Sequence, residues 1–259
     1  MASYESEVDP GNYQDEIELD FLGSRVRLLD LSREVSTTMP IYPGHVGVAF
    51  WDHLTHEQVR RQRLPEGSTF KGYAVRGLVA SEHVSTHVDA VWHFNPERPD
   101  LTIDRVPFGS LVTPGVWIDV SDVAPAQHIT LDRVKLALAE SGSELGPGVT
   151  LLYYTGWGAY WDDPFQFVSG YPGLDRQASE WILDQGVVNV CTDAPSTDSP
   201  LDTDYPNHQT HGTRCVIHTE MVHNITRLPR DKDFWVMFMP LRLVGGTGSP
   251  ARAVAMWKA

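Results

Sequence analysis

DRQASEWILDQGVVNVCTD, residues 175–193, decides the architecture. Asp175 is of the type that caps a helix N-terminus, Ala178, Trp181, Ile182 and Gln185 follow helical spacing, and Gly186 supplies the stop. VVNVCTD (187–193) then reads as a buried strand, being short, apolar and β-branched. TLLYYT (150–155) reads the same way, so the order over 150–193 is strand, helix, strand. Further out, VWIDV (116–120) is a third buried strand, and Thr130 caps a second helix, LDRVKLALAES. RVRLLDLS (25–32) and FKGYAVRGLVA (70–80) read as strands, with the proline-rigid loop TTMPIYPGH (37–45) between them. RCVIHTEMV, FWVMFMPLRLV and ARAVAMW are β-rich. No repeat or linker interrupts this pattern. It predicts one α/β domain over 23–259 with excess strand, preceded by an acidic, mobile N-terminal extension over 1–22.

Composition excludes several functions. The 259 residues carry 20 Lys and Arg against 34 Asp and Glu, a net charge of −14, and such a surface repels nucleic acid and anionic membranes. No stretch approaches the roughly 20 apolar residues of a membrane span, and the acidic N-terminus has no signal-peptide pattern. Two cysteines, Cys191 and Cys215, are too few for a disulfide framework. They read as small buried residues on strands in a reducing, cytoplasmic protein.

HVSTHVDAVWHF (83–94) places His83, His87, Asp89 and His93 within eleven positions. On a straight strand, at about 3.3 Å per residue, His83 and His93 would stand roughly 33 Å apart. On a helix, Asp89 would point about 200° away from His87. A bend through Ser85 and Thr86 followed by extended chain brings His83, His87 and Asp89 together. Two imidazoles and a carboxylate suit Zn²⁺ or Mn²⁺ and leave positions for water. A second window holds His208, His211, His218 and His223 with Glu220, and the loop before it adds Asp193 and Asp198. Spacing alone does not choose among these, since His218 and Glu220 share a strand face.

The first window resembles HxGTHxDxPxH, the signature of the cyclase family of metal-dependent hydrolases, which includes bacterial kynurenine formamidase and isatin hydrolase. His83, Thr86, His87, Asp89 and His93 match; Ser85 stands in place of the glycine and Val91 in place of the proline. DLSREVSTTMPIYPG, TGW (155–157), TDAPSTDSP and GGTGSPARAVAM are similar to further family segments along nearly the whole chain. The resemblance implies a β-rich domain with a barrel-like mixed sheet flanked by a few helices, swivelling β/β/α-like, in a homodimer or homotetramer. It implies that His83, His87 and Asp89 hold one divalent ion, that Asp89 bridges to a second held by His208 and Glu220, and that His93 is the catalytic acid/base. One or two ions of Zn or Mn are expected. The substrate implied is a small amide, lactam, formamide or lactone, aromatic or cyclic. A metal-dependent lyase, isomerase or cyclase, or a non-catalytic binder, would use the same ligands. Trp92 and Trp157 beside the motifs, with Tyr42 and Ser85, are the candidate substrate contacts, and Val91 and Phe94 candidate pocket walls.

Overall fold

Glu16–Phe21 (β1) alternates acidic and apolar residues and pairs antiparallel with Ser24–Asp30 (β2), placing Glu18 opposite Arg27 and Asp20 opposite Arg25. The computed structural model describes residues 13–259. Residues 1–12 of the expected extension therefore lie outside the described residues, and residues 16–21 of it form a strand. The alternation that makes it a strand also matches its acids to the arginines of β2, with Arg27 Nε 2.8 Å from Glu18. Ala49–Leu54 (β3) and Val75–Val79 (β4) form a small separate sheet with the helix His56–Arg63 (α1) between them. The strand expected over 70–80 is thus shorter, and bends rather than strand carry the chain from β4 to His87.

β1 and β2 form one edge of the main sheet; its closed part begins along the chain with His87–Asp89 (β5), followed by the short helices Val91–Phe94 (α2) and Phe108–Leu111 (α3). Val112–Asp119 (β6), the bridge strand His128–Ile129 (β7), Leu131–Ser141 (α4) and Thr150–Tyr154 (β8) come next. Pro164–Ser169 (α5), Gly173–Leu174 (β9), Arg176–Asp184 (α6) and Asn189–Thr192 (β10) lead to Pro206–Arg214 (α7) and Ile217–Glu220 (β11). Phe234–Pro240 (β12) and Gly248–Lys258 (β13) complete it. Strands β13, β12, β6, β8, β10, β11 and β5 follow one another and close on β13, giving the barrel-like mixed sheet. β6, β8, β10 and β11 run parallel, which requires crossovers, and α4, α6 and α7 supply them. β13 closes the ring by pairing residues 248–250 with β5, while residues 254–258 of it hold β2.

Both faces of the parallel strands are buried, which is why their sequences read as unbroken apolar runs. On β8, Leu151 and Tyr153 pack under α4 and α6 with Val134, Ala178 and Ile182, while Leu152 points into the barrel with Cys191, Val236 and Phe238. The two long helices begin and end as the sequence predicts. Thr130 and Asp175 accept from the backbone N–H groups of Arg133 and Ala178, and Gly142 and Gly186 take the left-handed conformation beyond the last turns. Each Leu or Ile sealed here contributes about 1.5–3 kcal/mol. Cys191 is buried on β10 as expected. Cys215 is not: it ends α7 at φ +55°, exposed, because the chain turns there before entering β11.

Candidate metal centre

The β5–β11 pairing builds the centre. Its antiparallel register sets Asp89 opposite His218 and His87 opposite Glu220, and the period of two puts all four on one face. His83 joins them through the bend. Ser85 sits at φ +56°, a conformation that costs a Cβ-bearing residue about 1–3 kcal/mol unless its surroundings hold it. They do hold it: the Ser85 hydroxyl donates to the Arg33 carbonyl at 2.7 Å, and Thr86 donates to the Met221 carbonyl at 2.7 Å while accepting from the Arg33 N–H. Gly248 on β13 lies so close to the His83 ring that a Cβ there would stand 2.6 Å from it.

The atoms converge on Asp89. Its Oδ1 is 2.6 Å from His83 Nδ1 and 3.2 Å from His87 Nε2; its Oδ2 is 2.8 Å from His218 Nε2 and 3.9 Å from His93 Nε2. Glu220 lies 3.5 Å from His87 Nε2 and 3.4 Å from His218 Nε2. His208, on α7, groups with Asp89, His218 and Glu220, all offering ligand atoms within 4.8 Å of one another; His83, Asp89 and His93 form a second such group.

Outer partners decide which way the rings face. His87 Nδ1–H donates to the Ser85 carbonyl at 2.8 Å, an oxygen that only accepts, so Nε2 is the atom that faces the centre. His208 Nδ1 is bonded to Asp198 Oδ2 at 2.5 Å, which leaves its Nε2 lone pair for the centre. His83 Nε2 bonds the Thr247 hydroxyl at 2.9 Å, and that hydroxyl donates to Glu82, so His83 Nδ1 is the inward atom. Imidazole nitrogens set against two buried carboxylates form a compact donor set. A divalent cation fits it, with each histidine fixed from outside by a carbonyl, carboxylate or hydroxyl.

Electrostatics point the same way. Burial would raise the Asp89 carboxyl, but His83, His87, His93 and His218 around it hold it well below its ordinary range. Burial, reinforced by the Asp89 charge, pushes Glu220 well above its own. Burial also pushes His93 down to about 3, outweighing the attraction of Asp89, so the ring is neutral at physiological pH. His93 is the member most open to the cavity, its side chain 27% exposed and its ring 4.0 Å from that of His83.

That cavity, of about 420 Å³, opens over the carboxylates. Tyr42 lines it as anticipated, and so does Phe94. Trp157, Trp92 and Ser85 do not. Trp157 is buried among Phe167 and Tyr171 and donates its indole N–H to the Phe167 carbonyl. The Ser85 hydroxyl is spent on Arg33, and Val91 belongs to the barrel core. Sequence reasoning passed over His45, Tyr205 and Gln209 on the lining. His45 closes the loop that carries Tyr42, and Tyr205 directly precedes the proline that opens α7; neither had a motif to mark it. No Lys or Arg lines the cavity among the described residues. Of the two loop aspartates, Asp198 orients His208. Asp193 instead accepts from the Thr155 and Gly158 backbone and holds a turn.

The family described as "Putative cyclase" matches residues 29–199. Kynurenine formamidase from Salinibacter ruber is 31% identical over 232 residues, covering 88% of this chain and 96% of that protein. Isatin hydrolase from Roseibium aggregatum is 28% identical over 200 residues, covering 71% and 75%. The crystal structure of an isatin hydrolase bound to the product analogue thioisatinate superposes with a TM-score of 0.78 at 23% identity, covering 90% of this chain and 93% of that one.

Proposed function

Since the chain belongs to the cyclase family, we propose that it is a metal-dependent hydrolase of a small, non-peptide amide: a ring lactam or an arylformamide. The observation that carries this reading is the convergence of imidazole lone pairs on Asp89 and Glu220 beneath an open cavity, in a chain aligned over most of its length with two amide-cleaving enzymes.

His83, His87 and Asp89 would hold one ion; Asp89, His208 and Glu220 would hold a second. A divalent ion bound there lowers the pKa of water and polarises the substrate carbonyl. Nitrogen and oxygen donors together suit Zn²⁺ or Mn²⁺. His93, neutral and facing the cavity, takes the proton from the attacking water as its oxygen bonds the carbonyl carbon. It returns that proton to the nitrogen as the C–N bond breaks. A lactam opens to an amino acid, and a formamide gives formate and an amine. Tyr42, Phe94 and Tyr205 offer ring faces to an aromatic substrate, and the lack of Lys and Arg on the lining favours one without a carboxylate. Neither a lactone nor non-hydrolytic chemistry is favoured by any particular contact.

The exposed faces of Trp51, Tyr73, Leu78 and Val79 on and beside the β3–β4 sheet support a homodimer or homotetramer, which light scattering would size. No helix among the described residues is long and apolar enough to cross a membrane. The two unbridged cysteines support a cytoplasmic location.

The test is metal analysis of the purified protein with a screen of isatin-like lactams and N-formyl arylamines. Bound Zn or Mn and turnover of one of these classes are expected. Protein that carries no divalent ion and gains no activity from added Zn²⁺ or Mn²⁺ would refute the assignment.

A further inference from the structure

We propose that His218 is an additional ligand of the ion held by Asp89, His208 and Glu220, and that His211 is the positioning residue that keeps it in that role. The proposal rests on the reading that this centre binds a divalent cation.

His218 Nε2 stands 2.8 Å from Asp89 Oδ2 and 3.4 Å from Glu220 Oε1, as close to the two carboxylates as His87 is. The ring cannot swing away. It is wholly buried, Phe94 stacks on it at 5.0 Å and 26°, and the His208 ring meets it edge-on at 4.7 Å. The far side of the ring faces a second histidine. His218 Nδ1 lies 2.9 Å from His211 Nδ1, and His211 is wholly buried, its ring having His218 as its one hydrogen-bond partner among the described residues. Its Nε2 has none. His211 lies one turn beyond His208 on α7, so a single helix positions a ligand and the partner of a ligand.

Two facing nitrogens share one proton. With it on His211, His218 Nδ1 is the acceptor, and a neutral His218 points Nε2–H at Asp89. With it on His218, the His211 lone pair accepts it and His218 turns its own Nε2 lone pair toward Asp89 and Glu220. A cation between the carboxylates selects the second arrangement, in the way a carbonyl selects it for His87 and Asp198 for His208. An apolar residue at 211 would leave the Nδ1–H buried and unpaired, so the ligand tautomer of His218 would be penalised.

The experiment strips the full-length protein with chelator and titrates it with Co²⁺. Equilibrium dialysis measures affinity, and visible absorption reports coordination. His208→Ala identifies the binding event at issue. His218→Leu and His218→Gln should weaken that same event at least about 10-fold and change its spectrum. His211→Leu should weaken it about 10–100-fold, the usual range for loss of an outer partner. His211→Asn, whose amide oxygen falls near the place of Nδ1, should restore it. Circular dichroism separates misfolding from lost binding, and if His218→Leu does not fold the other three variants decide. The proposal falls if His218→Gln binds with wild-type affinity and spectrum, or loses only the event that His83→Ala abolishes. The positioning role falls if His211→Leu and His211→Asn are alike. Wild-type protein that binds no Co²⁺ at all would instead overturn the functional reading beneath it.

Discussion

Two parts of one sheet are held in opposite ways. Where α4 and α6 cover β8 and β10, Leu151, Val190 and Ile182 are sealed by apolar neighbours, and each contact is satisfied by burial alone. Where β5 meets β11, the facing side chains are His87, Asp89, His218 and Glu220. They too are buried, yet they are held by directional bonds: His87 to the Ser85 carbonyl, Asp89 to His83, His218 to His211, and Glu220 to the Thr197 N–H. The first region stabilises the fold whatever the solution contains. The second carries desolvated polar groups that cost stability, which a bound cation would offset, so the two regions should answer differently to substitution.

That contrast can be broken at several strengths. His93→Ala should lower kcat by about 10²–10⁴-fold while metal content and melting temperature hold, since of the clustered side chains its ring is the most open to the cavity; a matching loss of stability would erase the separation. Ile182→Ala should do the reverse, costing about 2–5 kcal/mol in chemical denaturation with unchanged metal stoichiometry. Asp198→Asn removes the charge that orients His208, so metal affinity should fall about 10–100-fold, as read by competition with a chromophoric chelator.

In chelator, acid should find the site side first. Burial pushes His211 well below the ordinary histidine range, so the unfolded chain takes up its proton first as pH falls through 6.5. The stability His211 contributes is therefore present above that pH and lost below it, at up to about 1.4 kcal/mol per pH unit. Denaturation of wild type and His211→Asn between pH 7 and 5 checks this, the variant showing the shallower slope. Last, Asp175→Ala should cost about 1 kcal/mol through the lost cap of α6, with activity intact at assay temperature.

The helix-covered side was legible because its determinants are local. A cap, a periodic face and a glycine stop lie within a dozen residues at 175–186, and the structure returns them at the same places. The crowding of His83, His87 and Asp89 was equally plain, and the bend at Ser85 followed from distances along a strand. What stayed hidden depends on pairing between distant strands. His218 takes its place from the β5–β11 register, which no local pattern states. Ser85 is tolerable in place of glycine only because the Arg33 carbonyl is there to receive its hydroxyl. The aromatic contacts misled for a related reason: Trp157 neighbours a motif in sequence, but its indole N–H finds its acceptor in α5, away from the cavity. Residues 16–21 read as an acidic arm because composition drew the eye before their alternation did.

β13 belongs to both stories, since one strand closes the barrel against β5 and holds β2 with its other end. In folding, contacts between segments so far apart along the chain pay their loop-closure entropy late, after the local βα units have formed. The ring around Asp89 is therefore among the slowest parts to assemble. Until it closes, the proposed ligands at 83–89, 208 and 220 remain on separate segments, and under the proposed function capture of metal at native strength would mark the moment the chain has finished folding.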